Sequence, residues 1–410
     1  MISLQDTNPI QQSHQTFTMN ELPIDILTII LKWCHTFDQA EVSKSNFNRN
    51  QVHHPSHSIH LKNRIYSLGS VNWIFHQFCQ SHVGEYLETS RSSKQLEFIR
   101  DQWLPKYSDQ VKQIAITGPK TLNSLESTTL ILDLLYEICG SLQNRRIEVI
   151  EIDHHFFDAS HFESNKTSDV RWHELLCEMA PQLTQLTINN KPTDEFLPDD
   201  INELEIIKHF HTINKLEVFK AHNICKSISS ISPLAQLLST QNNLKSLSIS
   251  KSTCFNQSWS KVNWLGSLIN LSIKSCETVE MCWIKEFILQ FSKSLRFLEL
   301  KINHEERLEL TDIEKINLPN LIKLSLIGNI ESLISFTTSS NLKTLILGGG
   351  RKKIDYESLG DLIESNWDQL NRLILFDNPG SISQKHFIKV CESRGINVKF
   401  SGISASYHCY

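Results

Sequence analysis

Hydrophobic and polar positions along the chain fall into a recurring six-residue phrase, L-x-x-L-x-L with Ile or Val standing for Leu. It begins at Val111, Ile147, Leu183, Ile213 and Leu244, and again at Leu268, Leu295, Leu321, Leu342 and Leu370. The steps between starts are 36, 36, 30, 31, 24, 27, 26, 21 and 28 residues. Within each phrase the last two anchors lie two residues apart, the period of a strand, so they share one face. One such strand cannot bury that face alone. Stacking the repeats joins the anchors into one core and the strands into a parallel sheet. A degenerate eleventh strand is expected at Ile396–Phe400, and the long steps leave room for a hidden one at Ile201–Ile206.

Parallel neighbours need crossovers, and the segments between phrases read as helices. In 125–142, Leu130, Ile131, Leu134, Leu135, Ile138 and Leu142 recur at three- and four-residue steps. Ser232-Pro233 supplies a capping hydroxyl with proline at the first helical position. Residues 281–291 and 355–367 are also helical in pattern, and a helix over 382–393 stops at Arg394-Gly395. The predicted class is therefore an α/β solenoid of parallel strands alternating with helices, preceded by a small all-α module.

This phrase resembles the leucine-rich repeat, whose fuller motif adds Asn or Cys at the ninth position, where the side chain hydrogen-bonds the turning backbone. That position holds Cys276, Asn303, Asn329 and Asn378 in four repeats, and Ser252 and Ala221 among the others. The resemblance implies about ten irregular repeats over 111–410. If the solenoid curves, the residues between the anchors line its concave face. They include Lys215, Glu217, Ser246 and Ser248 in the middle. The partner-binding surface is expected on repeats seven to ten, at Phe297, Glu299, Lys323, Ile346, Arg372 and Ile374, because aromatic and arginine anchors amid apolar contacts make interface hot spots.

Upstream, residues 20–90 read as a helical module. Leu22-Pro23 opens a helix whose stripe is Ile26, Leu27, Ile30 and Leu31, and Val71-Asn72-Trp73-Ile74-Phe75 lies in a second helical stretch. These two signatures resemble the F-box, interrupted here by a polar insertion at 38–64. Residues 1–19 read as a disordered tail and 91–110 as a linker helix. The resemblance implies a non-catalytic substrate-recognition subunit of an SCF-type E3 ubiquitin ligase. Its module would bind a Skp-type adaptor of a cullin–RING ligase through Leu22, Pro23, Ile26, Leu27, Ile30, Val71 and Phe75, and its repeats would hold a protein substrate. The alternative is a repeat scaffold without a ubiquitin role, whose N-terminal helices cap the solenoid.

Composition narrows the rest. The chain has 410 residues, 40 Lys and Arg against 45 Asp and Glu, and a net charge of −5, which gives no electrostatic footprint for nucleic acid. Its 10 cysteines are scattered with no Cys-x-x-Cys, as in a reducing compartment, cytoplasm or nucleus. No apolar run reaches the ~18–20 residues a membrane span needs. The histidines His53, His54, His57 and His60 sit among Ser, Asn and Pro with no helical pattern, and are read as a solvated insertion rather than a metal site. Gly348-Gly349-Gly350 followed by Arg351 lacks the spacing of a phosphate-binding loop. No catalytic, cofactor or metal site is expected, and the chain is not expected to be an enzyme.

Overall fold

The structure is a computed structural model. It describes residues 85–89, 92–118, 125–142, 146–153, 156, 166–189, 201–276, 281–301, 315–328, 330–348, 354–376 and 384–401. The chain divides into two compact units, Met1–Val83 and Gly84–Tyr410, and the described residues all belong to the second. The expected tail, both F-box signatures and the polar insertion lie outside the described residues.

Twelve strands form one parallel sheet whose spatial order follows the chain. They are β1 (Tyr86–Glu88), β2 (Gln113–Ile116), β3 (Val149–Asp153), β4 (Gln185–Asn189), β5 (Val218–His222) and β6 (Ser246–Ser250). The series continues with β7 (Asn270–Lys274), β8 (Phe297–Lys301), β9 (Lys323–Ile327), β10 (Thr344–Gly348), β11 (Arg372–Phe376) and β12 (Asn397–Phe400). Neighbours pair without a slip, for example Leu271, Leu298, Leu324, Leu345 and Leu373 in one continuous row. A second row two residues on runs through Ile273, Leu300, Leu326, Leu347 and Leu375. Both rows are buried to within 2% of full, which is where the core sits. Each apolar side chain taken out of water this way contributes roughly 1.5–3 kcal/mol.

Helices cross over on the anchor side. They include α1 (Leu125–Ser141), α2 (Lys166–Met179), α3 (Glu203–Phe210), α4 (Pro233–Ser239), α5 (Met281–Leu289), α6 (Tyr356–Ser365) and α7 (Gln384–Ser393). Ser232 caps α4 by accepting a hydrogen bond from Ala235 N–H, with Pro233 at its first turn. Asp355 caps α6 the same way through Glu357 and Ser358 N–H. Gly395, at φ +66°, ends the segment after α7 in the left-handed region that glycine adopts without strain. Arg394 donates to the carbonyls of Ile363, Asn366 (2.9 Å) and Trp367 (3.0 Å), so its guanidinium closes the C-terminal end of α6.

Three expectations are corrected. The sheet begins one strand early: Tyr86–Glu88 pairs with Gln113–Ala115, so the array reaches into the span given to the helical module, and the segment read as a linker helix holds helices at Ser93–Phe98 and Leu104–Tyr107 that make the first crossover. The signal was short, since only Leu87 and Thr89 of β1's segment are buried. The fourth repeat sits three residues later than Ile213. Leu216, Phe219 and Ala221 align with Leu244, Leu247 and Ile249. Ile213 and Leu216 imitate the first two anchors, but Phe219 fills the central slot that a β-branched or Leu pattern search passes over. Lys215 and Glu217 therefore precede the strand, and Val218 and Lys220 occupy its open positions.

The third concerns Ile201–Ile206. Only Ile201–Asn202 is extended, pairing with Ile224–Cys225 in a separate two-stranded sheet. Asn202 then caps α3 through Leu204 N–H at 2.9 Å. Glu203, 1% exposed, turns inward. It accepts from Ser227 N–H (2.8 Å), from the Ser232 hydroxyl and weakly from Leu234 N–H (3.4 Å), at the start of α4. A buried carboxylate met by three donors at a helix N-terminus is satisfied, and that locks a helix where alternation alone read a strand.

Candidate functional site

The two faces of the sheet differ in what covers them. Anchors point into the helices; first, third and fifth strand positions point away from them and form an open face. Turn chemistry repeats along that face. Asn223, Lys251, Ser275 and Gly328, the residues just after β5, β6, β7 and β9, all have positive φ. Each donates its N–H to the last carbonyl of the next strand at 2.7–2.9 Å. One residue further, the Ser252 hydroxyl accepts from Ile224 N–H (2.9 Å) and donates to the Ser250 carbonyl (2.8 Å). The Cys276 thiol occupies the equivalent place, 3.6 Å from the Lys274 carbonyl and 3.9 Å from that of Ile249. Serine and cysteine thus perform the ninth-position role predicted from Asn or Cys. Asn303, Asn329 and Asn378 lie outside the described residues.

All six expected partner-binding residues fall on four adjacent strands of the open face. Phe297 opens β8 and is 39% exposed, large for an aromatic side chain in a folded sheet. Lys323 on β9 and Arg372 on β11 are exposed at the same level of the sheet. Glu299, Ile346 and Ile374 share the next level and are half-buried by their neighbours. Glu299 is committed within the sheet: Lys274 Nζ lies 2.8 Å away and the Ser272 hydroxyl donates to it at 3.0 Å. Ser325, at the same level on β9, is 3% exposed and forms a low floor between larger side chains. Gly348 does the same on the next level, where a Cβ would touch Ile327 and Phe376 at 3.4 Å. Ile327, Phe376 and Lys399 belong to this surface and were not singled out from the sequence. Their signal was the strand register, which carries the open positions one residue past each phrase.

At the other end of the face the chemistry reverses. Glu88, Glu151 and Asp153 stand on β1 and β3 beside Tyr86. The Tyr86 phenol is pushed up, by desolvation first and then by Glu88 and Glu151. Between the ends, β6 and β7 present Ser246, Ser248, Asn270 and Ser272, short polar groups on the third and first levels.

Elsewhere the described residues hold two clusters with donor chemistry. Cys177 on α2 lies 3.5 Å from His173 Nδ1 and 3.8 Å from His211 Nδ1, and burial pushes its thiol up from the ordinary cysteine value. Burial also pushes Cys139 up to about 12 and Cys391 up to about 11. Asp361 and Glu364 on α6 approach His386 on α7, with His386 Nε2 3.5 Å from Asp361. All three are exposed on the helical side, and no buried group supports them. The tryptophans 259, 264, 283 and 367 are core, each at most 9% exposed. Trp259, Trp264 and Trp367 donate their indole N–H to backbone carbonyls at 2.8–3.2 Å. Among the described residues no helix is long and apolar enough to cross a membrane.

Comparison with protein-family models finds no match, and comparison with curated proteins finds none. Among solved structures, one that is similar is the crystal structure of a TLR13–ssRNA13 complex, with a TM-score of 0.40 and 15% identity. The alignment covers 78% of this chain and 43% of that one, so the chain spans less than half its length.

Proposed function

We propose that the chain is a non-catalytic protein-binding solenoid, and more finely the substrate-recognition subunit of an SCF-type E3 ubiquitin ligase. The observation that carries the first part is the sheet itself: twelve in-register strands with helices on one face and a side-chain-rich, unsealed face on the other. Such a surface is large, preformed and built from residues the core does not need. The finer reading is supported by the resemblance of Leu22-Pro23-Ile24-Asp25-Ile26-Leu27 and Val71-Asn72-Trp73-Ile74-Phe75 to the F-box, in the order module then repeats. In this role the chain performs no chemistry. It raises the effective concentration of substrate lysines near a conjugating enzyme held by the cullin–RING partner. The free thiols of Cys139, Cys177, Cys225, Cys254, Cys276 and Cys391 support a reducing compartment, cytoplasm or nucleus.

The test is co-expression with a Skp-type adaptor and size exclusion. A one-to-one complex is expected, lost when Pro23→Ala, Ile26→Asp and Leu27→Asp are combined. A folded, monomeric chain with no complex would remove the ligase reading and leave the scaffold. That second reading has its own support: among the described residues β1 has a strand partner on one side only. An open sheet edge calls for a cap, as solenoid ends generally do.

A further inference from the structure

We infer that the open face of β8–β12 takes one kind of partner, an acidic peptide segment with apolar anchors laid across the strands. This deepens the protein-binding reading and rests on it.

Three aliphatic side chains, Ile327, Ile346 and Ile374, make the floor. Each is half-buried on a face that no helix covers among the described residues. They are not edge accidents, because strand pairing sets Ile346 directly beside Ile374. The missing side chain of Gly348 lets Ile327 and Phe376 close over it, both 3.4 Å from where its Cβ would lie. Ser325, 3% exposed, is covered by its neighbours and sits directly beside Ile346.

Three cations, Lys323, Arg372 and Lys399, frame this floor, all exposed. None has an ion pair among the described residues. The one carboxylate on these strands' open face, Glu299, is already held by Lys274 at 2.8 Å. The face is therefore locally positive on a chain of net charge −5. Glu88, Glu151 and Asp153 make the far end of the same face negative. An acidic partner is drawn to one end and repelled from the other, which fixes its place along the solenoid.

The dimensions fit a short segment. Four strand spacings of about 4.8 Å span roughly 19 Å, the length of about six extended residues or of three to four helical turns. The floor's chemistry favours a peptide over a nucleic acid. Single strands bind on aromatic platforms along a continuous basic track, whereas here Phe297 and Phe376 stand three strands apart with isoleucines between them, and Lys323, Arg372 and Lys399 are separate points rather than a track.

The experiment uses the full chain and an array of 12-residue peptides composed from Glu, Leu, Ser and Lys, in which acidic and apolar content vary independently. A fluorescein-labelled single-stranded oligonucleotide is measured alongside. Peptides rich in both Glu and Leu are expected to bind at least tenfold tighter than those rich in either alone. Raising salt from 50 to 500 mM is expected to weaken them several-fold. Lys323→Glu with Arg372→Glu is expected to abolish binding, and Lys323→Ala with Arg372→Ala to weaken it about tenfold. Melting curves matching the parent confirm that these variants fold; should the charge reversal unfold, the alanine pair decides. No retained peptide, a preference for Lys-rich peptides, or binding indifferent to the alanine pair each overturns the inference. So does an oligonucleotide that binds through the same two residues. Adaptor binding is read through residues 20–90, so these failures leave the ligase reading to its own test.

Discussion

The first strands of the sheet and the last are built alike and dressed differently. β3 and β4 bury Ile150, Ile152, Leu186 and Ile188 as completely as β8 and β9 bury Leu298, Leu300, Leu324 and Leu326. Their hydrogen-bonded register is equally regular. Yet between those early strands the chain travels 36 residues, and near the end as few as 21. The early open face carries Glu88, Glu151 and Asp153, the late one Lys323, Arg372, Lys399 and three isoleucines. The lesson is a division of labour by row. Buried rows and turn hydrogen bonds carry the fold at every repeat, while open rows are free to differ and therefore carry recognition.

That division can be broken. The largest effect is expected in the buried rows, and it should not depend on the end chosen. Ile150→Ala and Leu298→Ala should each cost about 2–5 kcal/mol in urea unfolding. If one end lost far less than the other, the sheet would be two independent arrays rather than one. Next comes the irregular centre. Glu203→Ala removes the acceptor for Ser227 N–H and the Ser232 hydroxyl, and should cost about 2–3 kcal/mol, with Glu203→Gln recovering part. A negligible loss would mean that the helix start at Pro233 needs no acceptor from α3.

Smaller effects separate the C-terminal end further. Arg394→Ala should cost about 1–2 kcal/mol by uncovering the carbonyls of Asn366 and Trp367. Lysine at that position should not restore it, because one ammonium cannot span them. The smallest is the cap of α6. Hydrogen bonding, first from the Ser358 hydroxyl, holds the Asp355 carboxyl below its ordinary value. A depressed folded-state pKa means stability that is present above the unfolded value, about 3.9, and is lost as pH falls through the folded one. Asp355→Asn should therefore be less stable than the parent at pH 7 by at most about 1 kcal/mol and should converge on it near pH 2. A gap that persisted at pH 2 would assign the cap's effect to shape rather than charge.

Much of this fold was legible because its signals are local. Nine of the ten phrases from Val111 onward lie in the register predicted, Ile396–Phe400 supplies the expected last strand as Asn397–Phe400, and the helices at 125–142, 281–291 and 355–367 stand within a few residues of their patterns. What escaped were places where a non-local partner decides. β1 is three residues long and exists through its pairing with β2. The fourth repeat slid by three residues because two neighbouring apolar residues imitate an anchor pair, and only the facing rows show which pair is used. Ile201–Ile206 alternates like a strand but folds as a helix, since Glu203 finds its donors 24 to 31 residues away.

The candidate site divides in the same way. The sequence alone determined which side chains alternate away from the anchors, and so named Phe297, Lys323, Ile346, Arg372 and Ile374. Alternation is a property of one strand and needs no neighbour. Only the tertiary structure decided which of them meet. Lateral pairing set Ile346 beside Ile374, spent Glu299 on Lys274, and drew Ile327 and Phe376 together over Gly348. Period two fixes a side chain's face, but its neighbours on that face come from strands 20 to 30 residues away, and their register is set by the sheet as a whole.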